Sequence, residues 1–325
     1  MLKIGVLGAG FLGKIHLKLI REIKGYELIG FFDPNDGNAA LAEKEFGVRR
    51  FADADALMDA VDVVDIVTPT LTHFELASRA IKRSKHIFIE KPIAQTLEEA
   101  RQLVALAEEA HVKGMVGHVE RFNPAFLAVK DRKLNPMFIE VHRLAQFNPR
   151  GTDVPVVLDL MIHDIDIILT MVKSSVKKIV ASGVSVISDS PDIANARIEF
   201  DNGCVANLTS SRISLKQMRK MRVFQRDAYI SIDFLEKKSE IIELHEQNDV
   251  HNPYSMEIQV GPGKTKFMHI SRPQTEPVNS IKLELELFLE AIINDTEPPV
   301  SLHAGTEALN VALQVMEKIS KFGLG

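Results

Sequence analysis

The chain has 325 residues, a length that allows two domains and more than one hydrophobic core. Hydrophobic residues make up 46% and charged residues 26% of it, which is typical of folded globular proteins and excludes disordered and fibrous classes. The formal net charge of −5 supplies no basic field for nucleic acid or an anionic membrane, so we expect a small-molecule partner instead.

The cysteine content argues against covalent and metal cross-links. Cys204 is the single cysteine, so neither an intrachain disulfide nor a cysteine-based zinc site can form, and we predict no metal site. The N-terminal segment MLKIGVLGAG is interrupted by glycines and does not resemble a signal peptide. No apolar run approaches the roughly 20 residues that cross a bilayer. We therefore expect a cytoplasmic protein with no membrane partner.

The first 120 residues alternate between short apolar runs and amphipathic stretches. This alternation predicts successive βαβ units around a doubly wound parallel sheet, the α/β Rossmann architecture. The run VVDIVT is apolar almost throughout, as expected for a strand covered on both faces. The predicted strands are residues 2–7, 27–32, 48–51, 63–68, 86–90 and 114–118, and the predicted helices include 11–23, 72–83 and 97–110.

From residue 121 onward the pattern changes to long alternating segments joined by turns such as Asp201-Asn202-Gly203. It predicts an α+β domain over residues 121–325, with a large, mostly antiparallel open sheet. Helices are expected over residues 156–171, 280–294 and 305–321. Residues 252–277 are rich in Gly, Pro and polar residues, which predicts loop or edge structure.

A glycine motif follows the first predicted strand. Residues 8–13, GAGFLG, match G-x-G-x-x-G between a strand and a helix, as dinucleotide-binding loops do. Gly8 would form the tight turn, Gly10 would admit a pyrophosphate, and Gly13 would allow close packing of helix on strand. The pyrophosphate would rest on the N-terminus of the helix, beside Phe11 and Leu12.

An acidic residue accompanies this motif. Asp33 lies 20 residues after Gly13, at the end of the second strand, where a carboxylate can accept hydrogen bonds from ribose hydroxyls. A 2′-phosphate would be repelled there, so we predict NAD rather than NADP. The alternative is a simple turn over residues 33–36. Arg49 and Arg50 are the cations that would oppose the preference, and their distance along the chain weighs against such a role.

Two further positions have the chemistry of a catalytic site. Lys91 follows the apolar strand HIFI and should emerge at the carboxyl end of the sheet, where it could stabilise a developing alkoxide. The alternative for Lys91 is a solvated side chain at a strand end. Asp159 and His163 are spaced i, i+4 on an apolar helix, which suits general acid–base work. One alternative is that His163 is a structural residue, hydrogen-bonded inside a core. Another is a metal site, for which the sequence places no further ligands.

The neighbouring acids Asp164 and Asp166 are expected to face solvent or form interdomain contacts. A basic stretch over residues 216–226 is expected to be the solvated face of a strand rather than a diphosphate contact. Arg212, at the end of the preceding alternating segment, could also point into a cleft.

Four features together resemble the glucose-fructose oxidoreductase / inositol dehydrogenase / MocA family: GAGFLG, VTPT at residues 67–70 with His73, EKP at residues 90–92, and Asp159-x-x-x-His163. The resemblance implies hydride transfer between a sugar hydroxyl carbon and NAD, with Lys91, Asp159 and His163 catalytic. It implies further that the residues at the cofactor include Thr68, Pro69 and His73 at the nicotinamide end, with Glu90 and Lys91 beside them.

Within this family, GHVERFNP at residues 117–124 resembles the branch that oxidises the 3-hydroxyl of UDP-N-acetylglucosamine or its uronic acid. That resemblance makes Arg121, Asn123 and His163 expected substrate contacts. An interdomain salt bridge for Arg121 and a helix cap for Asn123 before Pro124 are the alternatives.

Two other activities fit the same resemblance. One is a dehydrogenase of a free sugar or inositol, and the other is a non-catalytic NAD-bound sensor. The joint presence of Lys91, Asp159 and His163 argues against the sensor, because a pure binder has no chemical need for them. We also expect the second domain's sheet to form an oligomer interface in a homodimer or homotetramer.

Overall fold

The computed structural model describes residues 1–148, 154–248 and 254–322. Its strands are β1 Leu2–Leu7, β2 Tyr26–Phe32, β3 Val63–Ile66, β4 His86–Glu90, β5 Gly114–Gly117, β6 Phe138–Leu144, β7 Val176–Val184, β8 Ile193–Phe200, β9 Val205–Ser211, β10 Met218–Gln225, β11 Ala228–Asp233, β12 Lys238–His245, β13 Ser255–Gly261 and β14 Lys264–Ser271. Its helices are α1 Phe11–Ile20, α2 Asp36–Phe46, α3 Ala54–Ala60, α4 His73–Ile81, α5 Leu97–Glu109, α6 Pro124–Leu127, α7 Ile162–Met171, α8 Ser280–Ile293 and α9 Leu302–Phe322.

The chain divides into two compact units. The first contains Met1–Val119 and Asn279–Asn310, and the second contains Glu120–Val278 and the chain from Val311 onward. The first boundary lies within a residue of the one expected from the sequence. The sequence assigned residues 279–310 to the second domain, whereas in the structure they complete the first unit.

The first unit is built on a parallel sheet with strand order β2-β1-β3-β4-β5. Helices follow each of the first four strands, and β3 is buried along its whole length, as its apolar sequence predicted. The strand predicted over residues 48–51 is wrong. The segment forms a single bridge, between Phe31 and Arg50. It consists of two backbone hydrogen bonds between Phe31 of β2 and the residues on either side of Arg50, which are too few to make a strand.

Helix α8 covers part of this sheet. It packs against α1, β4 and β5, and it contributes the fully buried side chains of Leu285 and Phe288. The Phe288 ring lies 6.0 Å from that of Phe88 in β4, measured between ring centroids. The amphipathic pattern of residues 280–293 shows that the helix has a buried face, but it does not identify the unit against which that face packs.

The second unit is built on a nine-stranded sheet with strand order β13-β14-β12-β11-β10-β6-β9-β8-β7. All neighbouring strands are antiparallel except β6 and β9, which run parallel. Helix α7 packs against β6, and the turn that precedes it packs against β9. The polar segment expected to be loop or edge holds the hairpin of β13 and β14 at one edge of the sheet. The predicted fold class is confirmed for both units.

Candidate active site

The glycine loop of the first unit has the conformation that its motif predicted. Gly8 has φ of +98°, and a Cβ atom there would lie 2.7 Å from the Val67 carbonyl oxygen. A Cβ atom on Gly13 would lie 2.0 Å from the carbonyl oxygen of Gly8, so α1 can approach β1 only with glycine at this position. Gly10 differs, because no atom lies within 4 Å of its missing Cβ. It is the N-cap of α1 and provides no side-chain cap.

Asp33 holds this loop from the end of β2. One of its carboxylate oxygens accepts a 2.7 Å hydrogen bond from the Ala9 amide, and the other accepts a 2.8 Å bond from the Asn35 amide. Asp33 therefore stabilises a turn over residues 33–36, which was the alternative to ribose binding, and it also fixes the glycine loop through Ala9. Arg50 was expected to lie too far along the chain to act on Asp33, and this expectation is wrong. The Arg50 guanidinium donates to the Asp33 carbonyl oxygen and pairs with Asp36 at 2.8 Å.

A cavity of about 640 Å³ opens beside this loop within the first unit. Its volume lies within the usual range for ligand sites. Seven of the predicted cofactor residues line it: Gly8, Gly10, Phe11, Leu12, Asp33, Thr68 and Pro69. The sequence analysis did not single out other lining residues, among them Asn35, Asn38, Thr72, Glu75 and Leu76. Most of these follow a predicted site residue within one helical turn, which is the signal that could have identified them.

The cavity suits a dinucleotide. The first turn of α1 contains no acidic residue, so its amide groups and the helix dipole favour a pyrophosphate. The open space at Gly10 allows the phosphates to approach the backbone closely, and Asp33, which also lines the cavity, can accept hydrogen bonds from a ribose.

His73 has a different place from the one expected. It is buried and does not line the cavity. Its Nδ1 lies 2.9 Å from the Pro92 carbonyl oxygen and its Nε2 lies 2.8 Å from the Thr68 carbonyl oxygen. Burial lowers the pKa of the His73 imidazole, and the two backbone contacts oppose that change. His73 thus joins the segments that follow β3 and β4, and it holds Thr68 against the cavity.

Glu90 and Lys91 mark the end of β4. The Lys91 amide donates to one Glu90 carboxylate oxygen at 3.3 Å, and the other oxygen lies 3.3 Å from Nε2 of His16. His16 is a functional candidate that the sequence analysis missed. Its signal was a histidine on the otherwise apolar buried face of α1, three residues after Gly13.

Asp159 and His163 lie in the second unit, both partly buried. The predicted helix over residues 156–171 begins as a π-helical turn, Val157–Met161, and continues as α7. Asp159 is therefore on the π turn and His163 in the first turn of α7. Turns of this kind occur frequently at functional sites, because the wider winding redirects side chains.

The expectation that Asp164 and Asp166 face solvent or form interdomain contacts is wrong, because each is buried against an arginine of its own unit. The Nε and Nη2 atoms of Arg143 donate to the two Asp164 oxygens at 2.9 and 2.8 Å. Arg121 makes the same bidentate contact with Asp166 at 2.7 and 2.6 Å. In this segment aspartates alternate with isoleucines, and that pattern does not predict which aspartate forms an ion pair with a buried arginine.

The remaining polar residues of the second unit have structural contacts. Asn123 caps α6 through a bond from the Ala125 amide, and its amide group donates to Glu120 and to the Phe234 carbonyl oxygen. Arg212 is buried and donates to the Val154 carbonyl oxygen. The basic stretch forms a half-exposed strand face. Two of its cations pair across strands, Arg222 with Glu140 and Lys220 with Asp233, and Arg219 lies 3.6 Å from Glu120 in the turn before α6.

Within the described ranges 1–148, 154–248 and 254–322, no three His, Cys, Asp or Glu side chains are grouped so as to hold a metal ion. No helix in that part of the chain is long and apolar enough to cross a membrane.

Two family models match the chain. Residues 2–118 match the oxidoreductase family with an NAD-binding Rossmann fold, and residues 107–231 match the GFO/IDH/MocA C-terminal domain.

Several known proteins are similar to it. The UDP-N-acetylglucosamine 3-dehydrogenase of Acidithiobacillus ferrooxidans is 36% identical over 99% of this chain and 98% of its own. A crystal form of that enzyme superposes with a TM-score of 0.89, at 34% identity, over 99% of this chain and 98% of that one. The NAD⁺-dependent scyllo-inositol 2-dehydrogenase of Bacillus subtilis is 30% identical over 65% of this chain and 68% of its own.

A more distant structure shares the fold. Scyllo-inositol dehydrogenase from Lactobacillus casei, with bound NAD(H) and scyllo-inositol, superposes with a TM-score of 0.79 at 21% identity, over 99% of this chain and 97% of that one.

Proposed function

Because the chain belongs to the GFO/IDH/MocA family of oxidoreductases, we propose that it is an NAD-dependent dehydrogenase that oxidises C3 of UDP-N-acetylglucosamine or its uronate to a 3-keto sugar. The membership itself makes it an oxidoreductase with an NAD-binding Rossmann domain, and the similarity to named sugar and inositol dehydrogenases supports a sugar as the substrate. The observation that carries the narrower substrate is the similarity to a UDP-N-acetylglucosamine 3-dehydrogenase along the whole chain.

The proposed chemistry assigns one step to each of three side chains. NAD, when bound in the cavity lined by Gly10 and Asp33, would supply the hydride acceptor. His163 takes the proton of the sugar hydroxyl, while the Lys91 ammonium stabilises negative charge that develops on the same oxygen. Asp159 orients the imidazole or the substrate. Exchange of the roles of Lys91 and His163 is the alternative for the proton transfer.

We assign Asn123 no direct contact with the substrate. Its side chain caps α6 and donates hydrogen bonds to Glu120 and to the Phe234 carbonyl oxygen. Arg121 remains a candidate contact for a substrate anion, and its guanidinium is already held by Asp166.

We propose NAD rather than NADP as the cofactor. The Asp33 carboxylate lines the cavity, and the nearby cation Arg50 is neutralised by Asp36. A 2′-phosphate would therefore meet uncompensated negative charge. Fluorescence titration of the purified protein should show tighter binding of NADH than of NADPH. Equal affinities would contradict this assignment.

The substrate is tested by following NADH absorbance when protein and NAD are mixed with a panel of UDP-sugars and free polyols. We expect reduction with UDP-N-acetylglucosamine or its uronate, and a 3-keto product by mass spectrometry. Reduction only with free polyols would favour the inositol-type activity, which the 30% identity to a scyllo-inositol 2-dehydrogenase supports. NAD binding without turnover on any sugar would favour a sensor.

We further propose that the protein is a homodimer or homotetramer that associates through its nine-stranded sheet. The part of this sheet near β7 exposes apolar side chains to solvent, including Val180, Val184, Val186 and Ile187. Large exposed apolar patches mark association surfaces. Sedimentation of a particle twice or four times the 36.2 kDa chain mass is expected, and a monomer at micromolar concentration would contradict it.

A further inference from the structure

A cluster of ionisable side chains lies buried in the first unit behind Lys91. His16 of α1 is fully buried between two carboxylates. Its Nδ1 lies 2.9 Å from Asp65 of β3, and its Nε2 lies 3.3 Å from Glu90 of β4. The imidazolium brings its positive charge within 3.3 Å of both carboxylates, whereas a neutral imidazole carries no charge to offset either of them. The geometry therefore favours the charged form of His16.

The electrostatics agree with this geometry. Burial lowers the pKa of His16, but the charges and hydrogen bonds of Asp65 and Glu90 outweigh it, so the pKa is raised well above its ordinary value. Burial raises the pKa of Asp65, and the His16 charge opposes that rise. The neighbouring ring of Phe88 meets the imidazole edge-on, with centroids 5.8 Å apart.

Two more groups face the cluster from other elements. Glu284 of α8 is fully buried, and burial together with the charges of Glu90 and Asp65 raises the pKa of its carboxyl well above the ordinary value. Burial and the Asp65 charge also raise the pKa of Tyr26 in β2. Both shifts favour the neutral forms of these groups. The imidazolium of His16 then places a positive charge beside the carboxylates of Asp65 and Glu90.

Glu90 connects this cluster to the proposed catalytic lysine. One oxygen faces His16, and the other accepts the backbone N–H of Lys91. The carboxylate lies so close to β5 that a Cβ atom on Gly117 would be 2.9 Å from it. Its position is therefore fixed on three sides: by His16, by the Lys91 amide and by the backbone of Gly117.

We propose that His16 is a positioning residue: as an imidazolium anchored by Asp65, it holds the Glu90 carboxylate, and Glu90 in turn holds the Lys91 amide at the end of β4. The inference rests on the proposed function, in which Lys91 contacts the reacting oxygen. Small misplacements of a catalytic group cost up to about 100-fold in rate, so a residue without substrate contact can control turnover in this way.

The test is His16→Gln, compared with wild type for kcat, KM and NAD affinity between pH 6 and 9. We expect kcat to fall by about 10- to 100-fold, with NAD affinity within about threefold of wild type. The loss should appear in kcat, with KM within about threefold of wild type, because His16 acts on the position of Lys91 and not on substrate binding. An unchanged kcat together with lower thermal stability would reduce His16 to a packing role and overturn the proposal.

A double-mutant cycle identifies the route of the effect. If His16 acts through Glu90, the double variant His16→Gln/Glu90→Gln should match Glu90→Gln within about twofold in kcat. Multiplied effects would overturn the proposal. His86→Gln is the matched control, because His86 begins the same strand β4 and bonds the Lys113 amide, away from Glu90. Its kcat profile should equal that of wild type.

A second measurement uses only the wild-type protein, so it does not depend on whether a variant folds. In ¹⁵N spectra of the wild-type protein, His16 is identified by its contact with the Phe88 ring and should show two protonated nitrogens at pH 7. A neutral His16 ring at pH 7 overturns the proposal. If wild type oxidises no sugar, the proposed function fails and the effect on turnover fails with it, whereas the ¹⁵N signal still decides whether His16 holds Glu90 as a cation.

Discussion

Gly10 and Gly13 belong to one motif but occupy different surroundings. We expect Gly13→Ala to destabilise the protein by about 1–3 kcal/mol, because its methyl group would overlap the Gly8 carbonyl oxygen. Gly10→Ala should leave stability nearly unchanged and weaken NAD binding, because the methyl group enters space reserved for the pyrophosphate. Urea unfolding and NADH titration of both variants measure this difference. Equal losses of stability would contradict it.

The proposed catalytic residues should affect turnover rather than cofactor binding. Lys91→Ala and His163→Ala are each expected to lower kcat by about two to four powers of ten, with NAD affinity within about threefold. Loss of a proton acceptor also removes the corresponding limb of the pH–rate profile, which separates the roles of the two side chains. Near-normal turnover in either variant would exclude that residue from the mechanism.

At the scale of residues, the sequence predicts what is encoded locally. The glycine loop and Asp33 could be located because a strand, a turn and a helix follow one another within 33 residues. His16 could not be assigned a role, because its partners Asp65 and Glu90 are 49 and 74 positions away along the chain. Asn123 shows the reverse: its cap role is local, and the adjacent Pro124 indicated it.

Helix α7 is attached to the rest of the second unit by two buried ion pairs. Asp164→Asn leaves the buried Arg143 with Glu120 as its remaining carboxylate partner, so we expect a loss of about 3 kcal/mol. Asp166→Asn should cost less, about 1–2 kcal/mol, because the Arg121 side chain is 15% exposed and water can reach it. Denaturant unfolding of the two variants gives the ranking. The reverse order would show that exposure does not control these costs.

Helix α8 contains a carboxyl group whose titration opposes folding. Burial raises the pKa of Glu284 above its unfolded value of about 4.3. The unfolded chain therefore releases a proton above about pH 4 that the folded chain retains, and this contribution lowers stability as pH rises toward the folded pKa. Glu284→Gln has no such proton. Its stability gain over wild type should be larger at pH 8 than at pH 5, and an equal gain would show that Glu284 ionises when folded.

At the scale of elements, periodicity predicted the existence of most helices and strands but not their partners. Residues 48–51 have a strand-like composition and form only one bridge. The hairpin of β13 and β14 was concealed by polar and turn-forming residues, since at a sheet edge one side of the backbone needs no partner strand and the apolar signal is weak. The π turn at Asp159 cannot be distinguished from an α-helix by spacing alone.

At the scale of the molecule, the first unit should require the segment 279–310. We expect a fragment of residues 1–119 to lack cooperative unfolding, because it exposes Phe88 and the sheet surface covered by Leu285 and Phe288. The same fragment joined to residues 279–310 by a flexible linker should unfold cooperatively and bind NADH. Calorimetry and NADH titration compare the two. Stable folding of residues 1–119 alone would contradict the role of α8.

The return of the chain to its first unit also has a consequence for biosynthesis. Residues 120–278 must be made before α8 exists, and at about 5–20 residues per second this takes roughly 8 to 30 seconds. During that interval the nascent chain carries all five parallel strands while the surface around Phe88 lacks its helix. Most of the nucleotide-binding unit is thus translated before residues 120–278, yet its core can be completed only after that segment of the second unit has been made.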